Sequence, residues 1–462
     1  MKSFLTLSIL LFGQISFGQS RIQKIDSLLT ASFNKGEING NVLIAEKGKI
    51  IYKKSFGFAN EETKQKLNEN SIFELASCSK QFTAMAIVIL KEKGKLNYND
   101  KMSKYIPELS NYKNITIRNL LNHTGGLPDY MELLDSLFDK RKIATNKDII
   151  ALFAKHNPKV LFEPNTKWEY SNTGYAFLAS IIEKVTSMSF GEYLDKVIFK
   201  PLEMKNTFVY TRRYAPKQVA NYAFGYVYSD SLKKYYLPDE LTETKMVVWL
   251  DGIVGDGTVN STVNDLLKWD RALYTDKLVT KDSKKEIFTP SVLNDRTKTR
   301  YGFGWFIEDN GVYGNLVKHT GGWPGYRTLI ERHLQNDKTI IVLLNYINDS
   351  TYVPLKEIKQ ILYEINPIKF IELKNEELEK FAGEYKLKDN DIKKIIYEKG
   401  ELFTLMEDGY KLLFKPIEKN KFQMLGFSPD VFYEFIIEEN KVIKCIMTQP
   451  ELKNTSVRIK VK

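Results

Sequence analysis

The chain has 462 residues, of which 43% are hydrophobic and 13% aromatic, and its formal net charge is +11 at pH 7. This length favours two or three domains, and the apolar fraction is sufficient for folded cores. The basic residues are spread along the chain without the basic and aromatic pattern of a nucleic-acid-binding fold, so nucleic acid is not an expected partner. The positive charge would give at most a weak contact with an anionic cell envelope.

The first 18 residues predict a secretory signal peptide. A basic start is followed by a short apolar stretch and by small residues at Ser16 and Gly18, which predicts cleavage between Gly18 and Gln19. The stretch is short for a membrane span, and no other run qualifies. We therefore expect a secreted or periplasmic protein with no stable membrane insertion after signal cleavage.

The chain after the signal predicts one helix and then a β-hairpin. Residues 21–35 place apolar side chains on one helical face. Residues 40–45 and 50–57 are strand-like and flank a short turn that contains Gly48. From Ser77 to about residue 211 the pattern is mainly helical.

Ser77 and Lys80 form a Ser-x-x-Lys pair at the start of a strongly apolar segment. Residues three apart share a helix face, so a helix that begins near Ser77 directs Lys80 toward the serine hydroxyl. Residues 84–90 are apolar on every side, which indicates an enclosed helix, and Gly94 is a plausible C-terminal cap. A lysine at the closed end of such a helix loses hydration and can take a proton from the serine.

Ser-x-x-Lys alone is a weak signal, because Ser110/Lys113 and Ser231/Lys234 repeat it without other signs of chemistry. Cys78 has no nearby base in the sequence, so we expect a small buried side chain rather than a nucleophile. Cys78 and Cys445 are assigned to different domains and are not expected to form a disulfide. The four histidines lack metal-ligand spacing, and no metal or other cofactor is expected.

Two later motifs supply possible partners for the Ser77/Lys80 pair. Tyr170 and Asn172 lie in a Tyr-Ser-Asn sequence, and His319 begins His-Thr-Gly-Gly, which includes Gly321 and Gly322. A phenol beside an ammonium can relay protons, and an Asn amide can donate to a substrate carbonyl while accepting from an ammonium. A glycine-containing strand edge lets a substrate backbone approach closely.

The later part of the chain predicts strands, one helix and a separate β domain. Residues 301–306, 316–319 and 338–344 are strand-like, and residues 353–365 are helical in pattern, so one sheet is expected to combine early and late strands. From about residue 370 to the end, apolar and polar residues alternate, which predicts a small antiparallel barrel or sandwich. A scaffold role and a ligand-binding role are both open for this domain.

Taken together, the motifs resemble the serine β-lactamase and penicillin-binding protein superfamily, in its class C β-lactamase-like branch. That branch includes D-alanyl-D-alanine carboxypeptidases, D-amino-acid peptidases and esterases. The three motifs map onto Ser77/Lys80, Tyr170/Asn172 and His319/Gly321. Residues 115–128 resemble the signature loop of the family, and residues 255–266 resemble the segment beside its active site. The resemblance covers residues 21–365, and the C-terminal region resembles a lipocalin-like appendage of some relatives.

The resemblance implies an α+β fold, with an antiparallel sheet flanked by helices and a helical subdomain, over residues 19–365. The active site would lie where the sheet meets the helical region. The C-terminal β domain would occupy residues 370–462.

The resemblance also implies a serine hydrolase that works through an acyl-enzyme. Ser77 would attack a carbonyl, and Lys80 and Tyr170 would share the acid and base roles. Asn172 would hold both the substrate and Lys80, and the N–H groups of Ser77 and Gly322 would form an oxyanion hole.

His319 stands where true class C β-lactamases have lysine, so vigorous β-lactam hydrolysis is not expected. We expect this imidazole to be partly exposed and to change charge between about pH 5.5 and 8. Substrates with a free carboxylate would then bind better as the pH falls.

The sequence leaves the substrate open among D-residue peptides, β-lactams and small esters, because selectivity is expected from loops around Trp168, Trp249 and Trp323. The alternative to an enzyme is a non-catalytic sensor of the same fold that binds a peptide or β-lactam, or is acylated without turnover. A small-molecule or peptide substrate is the expected partner in either case.

Overall fold

A computed structural model describes residues 21–461, apart from residues 367, 389–390, 407–408 and 427–429. The predicted signal peptide lies outside the described residues. The described chain forms two compact units. The first extends to Glu308 and includes Leu316–Leu355, and the second comprises Asp309–Asn315 and the chain from Lys356 onward. The second unit thus begins before the predicted boundary near residues 365–370.

Helices and short helical turns fill most of the chain between the early and late strands. In chain order the helices are α1 (21–34), α2 (Lys80–Glu92), α3 (Ile117–Asn122), α4 (Tyr130–Leu137), α5 (Asn146–His156), α6 (Asn172–Thr186), α7 (Phe190–Leu194), α8 (Met246–Trp249), α9 (Val263–Ala272), α10 (Lys281–Ile287), α11 (Leu355–Leu362) and α12 (Asn375–Glu379).

The strands up to residue 347 are β1 (Gly40–Glu46), β2 (Lys49–Phe56), β3 (Phe73–Glu74), β4 (Phe208–Val209), β5 (Tyr226–Ser229), β6 (Lys234–Tyr236), β7 (Val259–Ser261), β8 (Phe306–Asn310), β9 (Gly314–Trp323), β10 (Tyr326–His333), β11 (Lys338–Leu344) and β12 (Tyr346–Ile347). The strands that follow are β13 (Gly383–Lys388), β14 (Asp391–Glu398), β15 (Glu401–Leu405), β16 (Lys411–Glu418), β17 (Lys421–Met424), β18 (Val431–Glu438), β19 (Lys441–Gln449) and β20 (Asn454–Lys460).

The main sheet combines strands from both ends of the first unit. Its order is β2-β1-β11-β10-β9-β8. The early strand β1 pairs antiparallel with the late strand β11, with Gly40 opposite Leu344. Two smaller three-stranded sheets have the strand orders β3-β7-β4 and β12-β5-β6. The predicted α+β class, with one sheet built from early and late strands, is therefore confirmed.

Two details of the strand prediction are wrong. Residues 301–305 form no strand, and the strand β8 begins only at Phe306. The strand β10 was not predicted, since Arg327, Glu331 and Arg332 give it a charged appearance. Glu331 and Arg332 are nevertheless buried, because each has a polar partner, which lets such groups enter a core. Arg332 Nε donates to Asp270 Oδ1 over 2.5 Å, and Glu331 Oε1 lies 3.0 Å from His333 Nε2.

The helix that follows Ser77 is enclosed, as its composition predicts. Every residue from Lys80 to Leu90 is buried, and Phe82 packs against Trp269 with ring centroids 4.7 Å apart. Gly94 adopts a left-handed φ of 64°, while the N–H of Lys95 reaches back to the carbonyl of Leu90 over 2.9 Å. This is the glycine-terminated helix end that the sequence predicts.

The predicted C-terminal β domain is a closed barrel of the strands β13 to β20 in sequential order. Alternate side chains of these strands are buried, as expected for a barrel with a packed interior. The core includes several aromatic residues: Phe381, Tyr385, Phe414, Phe422, Tyr433 and Phe435. A filled interior favours the scaffold role over ligand binding. Among the described residues, no helix is both long and apolar enough to cross a membrane.

Candidate active site

Ser77 lies in a tight helical turn immediately before α2. The turn spans Ala76–Ser79, and its first bond is donated by the N–H of Cys78 to the carbonyl of Leu75 over 3.2 Å. The N–H of Ser77 precedes that bond, so the turn does not use it. Ala76 has a left-handed φ of 47°, a strained backbone conformation of the kind that collects at functional sites.

Lys80 brings the Ser-x-x-Lys pair together with the second motif. Its Nζ lies 3.0 Å from Ser77 Oγ, 2.9 Å from Asn172 Oδ1 and 2.8 Å from the carbonyl oxygen of Asp256. The Asn172 amide nitrogen faces Asp129 Oδ2 at 3.4 Å. The structure thus places Ser77, Lys80 and Asn172 in one contact set.

These contacts suit both protonation states of Lys80. Asn172 Oδ1 and the Asp256 carbonyl can only accept, so they use two N–H bonds of the lysine in either state. The Ser77 hydroxyl can accept the third N–H bond of an ammonium or donate its own proton to a neutral amine. The proton can therefore move between Ser77 and Lys80 without breaking the other two hydrogen bonds.

Tyr170 packs beside Lys80 in an aromatic cage. Lys80 Nζ lies 4.9 Å from the centre of the Tyr170 ring, and the tyrosine hydroxyl is buried without a hydrogen-bond partner among the described residues. His123 lies against the same ring, with centroids 4.3 Å apart, and its Nδ1 accepts the N–H of Ser171 over 3.0 Å. This hydrogen bond ties His123 to the loop that carries Tyr170.

The expected partial exposure of His319 is wrong. The side chain is 1% exposed, its Nδ1 contacts the carbonyl oxygen of Thr320 at 2.7 Å, and its Nε2 contacts the Tyr301 hydroxyl at 3.0 Å. Burial, together with the nearby charge of Lys80, lowers the pKa of His319 to about 3. The imidazole is thus neutral throughout the range in which we expected it to titrate.

The two glycines of the third motif face opposite ways along β9, as neighbouring strand residues do. Gly321 is buried, and a Cβ on it would lie 2.1 Å from the carbonyl oxygen of Leu75. Gly322 is exposed, and a Cβ there would meet nothing within 4 Å. Gly321 therefore lets the strand pack against the Ser77 segment, while Gly322 faces open space.

Ser77 opens into a partly enclosed cleft. Carboxylic acids are the only ionisable side chains, other than a tyrosine, among its lining residues. Its lining includes Glu74, Ser77, Asn172, Asp251, Asp256, Gly322 and Trp323. Of the three tryptophans whose loops are expected to set selectivity, Trp323 lines the cleft itself. The Trp249 side chain is buried in the core, but Leu250, Asp251 and Ile253, which follow it in the chain, line the cleft.

Several residues of the site were not singled out from the sequence. Asp256 accepts a hydrogen bond from Tyr130 over 2.8 Å, and burial raises the pKa of its carboxyl, opposed by the charge of Lys80. Tyr301 holds His319. The segment around Asp256 was identified only by resemblance, and nothing in the sequence near Tyr301 indicated its contact with the third motif.

Cys78 is buried beside Ser77, as predicted. Its Sγ faces the carbonyl oxygen of His319 at 3.1 Å, and burial raises the pKa of the thiol to about 12. Cys78 and Cys445 are both free. Over the described ranges of the chain, no group of three or more His, Cys, Asp or Glu side chains is arranged to hold a metal ion.

Solved structures share this fold. A structure of the octameric penicillin-binding protein homologue from Pyrococcus abyssi aligns with a TM-score of 0.63 at 24% identity, covering 95% of this chain and all of that chain (100%). A D-amino acid amidase from Ochrobactrum anthropi aligns with a TM-score of 0.58 at 22% identity, covering 75% of this chain and 96% of that one.

Sequence comparison extends the likeness over the whole chain. The Beta-lactamase family profile matches residues 25–355, which include all the motif residues described above. Penicillin-binding protein 4* of Bacillus subtilis (strain 168) is 40% identical over 453 residues, covering 96% of this chain and 100% of that protein. The chain therefore belongs to the Beta-lactamase family, within the serine β-lactamase and penicillin-binding protein superfamily.

Proposed function

We propose that the protein is an exported serine hydrolase that forms an acyl-enzyme on Ser77 and acts on amide or ester carbonyls, with D-residue peptides and small esters as its main substrates. Family membership supports the part of this proposal that makes the protein a serine hydrolase of β-lactamase fold. The observation that carries the proposal is the 3.0 Å contact between Lys80 Nζ and Ser77 Oγ.

In acylation, Lys80 takes the hydroxyl proton of Ser77 as Oγ bonds to the substrate carbonyl carbon. The negative charge that develops on the carbonyl oxygen faces the N–H groups of Ser77 and Gly322. When the tetrahedral intermediate collapses, the leaving amine or alcohol takes a proton relayed through Lys80 and Tyr170, whose unpartnered hydroxyl suits this role. Asn172 holds Lys80 and orients the substrate.

In deacylation, water attacks the ester carbonyl and transfers a proton to the same basic groups, which restores the Ser77 hydroxyl. A non-catalytic sensor would stop before this step. Nothing in the contacts of Lys80 favours that alternative, because its hydrogen bonds are compatible with both directions of proton transfer.

The test combines labelling and turnover in the purified protein. Ser77→Ala should abolish covalent labelling by a fluorescent penicillin and burst hydrolysis of p-nitrophenyl acetate. The matched control Ser110→Ala removes an exposed serine of a chance Ser-x-x-Lys pair and should keep both. Lys80→Ala should lower the acylation rate by about 10³-fold or more. Labelling that survives in Ser77→Ala would refute the proposal, and a one-for-one burst without further turnover would favour the sensor.

Export is tested separately by the N-terminus of the mature protein. We expect protein recovered from the native host to begin near Gln19, outside the cytoplasm. Intact Met1 on cytoplasmic protein would contradict export while leaving the proposed chemistry untouched.

A further inference from the structure

Glu74 lines the same cleft as Ser77. It ends the short strand β3, whose backbone pairs with β7 so that Glu74 lies opposite Asn260. Glu74 lies three positions before Ser77 in the chain, so the two Cα atoms are at most about 11 Å apart. The strand and the turn before α2 thus fix a carboxyl group close to the nucleophile.

Arg212 and Arg213 lie near Glu74, but both arginines form their ion pairs with aspartates. Arg213 Nε and Arg212 Nη2 contact Asp239 over 2.5 and 2.6 Å. Arg213 Nη1 contacts Asp251 Oδ1 over 3.0 Å, and the same aspartate accepts the backbone N–H of Arg213 over 2.7 Å. The two guanidinium groups are therefore matched by two aspartates.

Glu74 is the unmatched acid of this cluster. Among the described residues, its carboxyl group takes part in no hydrogen bond or ion pair with a side chain. Ionised Glu74 leaves the five-residue cluster of Glu74, Arg212, Arg213, Asp239 and Asp251 with a net negative charge. Lysine, arginine and histidine are not among the described residues that line the cleft, and the Lys80 ammonium beside Ser77 is already hydrogen-bonded to Ser77, Asn172 and the carbonyl of Asp256.

We propose that Glu74 is a specificity-determining residue that binds a protonated amine of the substrate, so that the cleft favours acyl groups bearing a free amine near the scissile carbonyl. The inference rests on the proposed acyl-enzyme function of Ser77. A hydrogen bond that an ammonium donates to a carboxylate in a partly enclosed cleft is stronger than one between neutral groups. The neutral His319 offers no opposing attraction for a substrate carboxylate.

The charge state of Glu74 makes this preference depend on pH. The pKa of the Glu74 carboxyl is raised to about 7 in the fold. Burial raises this pKa most, the charges of Arg213 and Arg212 lower it, and those of Asp251 and Asp239 raise it. Two phenols, Tyr222 and Tyr326, also face the carboxyl group, and burial raises their pKa values well above neutral, so they stay uncharged. The carboxylate form of Glu74 therefore increases as the pH rises toward and past 7.

The experiment compares two substrates that differ only in the amine: D-alanine p-nitroanilide and propionyl p-nitroanilide. The readout is the ratio of their kcat/KM values, in which the shared chemistry of the nucleophile cancels. In the wild type this ratio should rise from about pH 5.5 to 7 and fall when the substrate amine loses its proton near pH 8. The L-alanine compound, measured in parallel, reports the stereochemical preference.

Glu74→Gln keeps the size of the side chain and removes its charge. It should lower the ratio at least about tenfold, mainly through KM of the amine substrate, as expected for one lost charge-assisted hydrogen bond. It should also abolish the rise of the ratio with pH. The matched control Glu69→Gln removes an exposed carboxylate that pairs with Lys53 and should leave the ratio and its pH profile unchanged.

A ratio that Glu74→Gln leaves unchanged would overturn the inference, as would an equal loss for both substrates, which would indicate a structural role. Failure of the proposed function would look different, because wild-type protein would then not be acylated on Ser77 by p-nitrophenyl acetate.

Discussion

At the scale of single residues, the histidines that flank Tyr170 differ in the atom that carries the proton. The carbonyl of Thr320 can only accept, so Nδ1 of His319 carries the proton and Nε2 accepts from Tyr301. At His123 the backbone N–H of Ser171 donates to Nδ1, so the proton is on Nε2. The two imidazoles are thus opposite tautomers, and both are neutral.

Neither His123 nor His319 should titrate between pH 5 and 8. Burial and the charge of Lys80 lower both pKa values, that of His319 to about 3 and that of His123 well below its ordinary value. Nitrogen-15 NMR should show flat shifts over this range, with the Nδ1–H form at His319 and the Nε2–H form at His123. Signals are assigned by their loss in His319→Gln and His123→Gln. A midpoint near pH 6.5 for either signal would contradict the buried geometry.

The same pKa shifts set the direction of acid sensitivity. Each histidine is neutral in the fold but becomes protonated in the unfolded chain below about pH 6.5. Unfolding therefore takes up protons in that range, and the contribution of these two groups to stability is lost as the pH falls from about 6.5 toward 3. The neutral state of His319 at neutral pH could be predicted from the sequence. The burial of His319 and its contact with Tyr301 could not, because both depend on tertiary packing.

At the scale of elements, the strand β9 packs closely against the backbone of the segment that carries Ser77. Gly321 lies where a Cβ would be 2.1 Å from the carbonyl of Leu75 and 3.2 Å from Cβ of Ala76. Ala76 directly precedes Ser77 in the strained turn. The position of Ser77 therefore depends on residue 321 being a glycine, which has no side chain.

Gly321→Ala should therefore destabilise the protein by about 1–3 kcal/mol, the usual cost of overpacking a filled site, and should slow acylation of Ser77. Gly322→Ala is the matched control for stability, because its Cβ would meet nothing within 4 Å. Its free energy of unfolding should stay within about 0.5 kcal/mol of the wild type. Chemical denaturation of both variants checks this, and equal stability of the two would show that the turn and β9 are not in firm contact.

The sequence predicts elements well where apolar periodicity is strong, as in α2 and in the hairpin β1–β2. It fails where buried ion pairs replace apolar residues, as at Glu331 and Arg332 in β10, since local periodicity does not report a distant partner such as Asp270. In the site, Ser77, Lys80 and Asn172 can be predicted from the motifs because their proposed roles depend on residue type. Asp256 contributes its backbone carbonyl to Lys80, and a backbone contact leaves no mark in the residue pattern.

At the scale of the whole molecule, each compact unit has its own apolar core. The core of the first unit surrounds α2 and α6, and that of the second fills the barrel. Every residue that lines the Ser77 cleft belongs to the first unit. Two separate cores allow the units to differ in stability, and the residues of the catalytic cleft depend directly on only one of these cores.

Phe435→Ala should destabilise the barrel selectively. Phe435 is fully buried, with 0% of its surface exposed, and its ring lies 4.8 Å from that of Phe381 and 5.4 Å from that of Phe422. Removal of such a ring from a core costs about 3–5 kcal/mol. Hydrogen exchange followed by mass spectrometry should show faster exchange in peptides from β13 to β20, while peptides from α2 and α6 keep their protection and Ser77 is still acylated.

The matched control for this prediction is Ile459→Ala, which shortens an aliphatic side chain of the same barrel that is 62% exposed. A change of no more than about 0.5 kcal/mol is expected there, because little apolar surface is removed from contact with other residues. If Phe435→Ala instead accelerated exchange equally in α2 and α6 and abolished acylation, the two cores would be one cooperative unit. Folding of the catalytic cleft would then depend on the barrel.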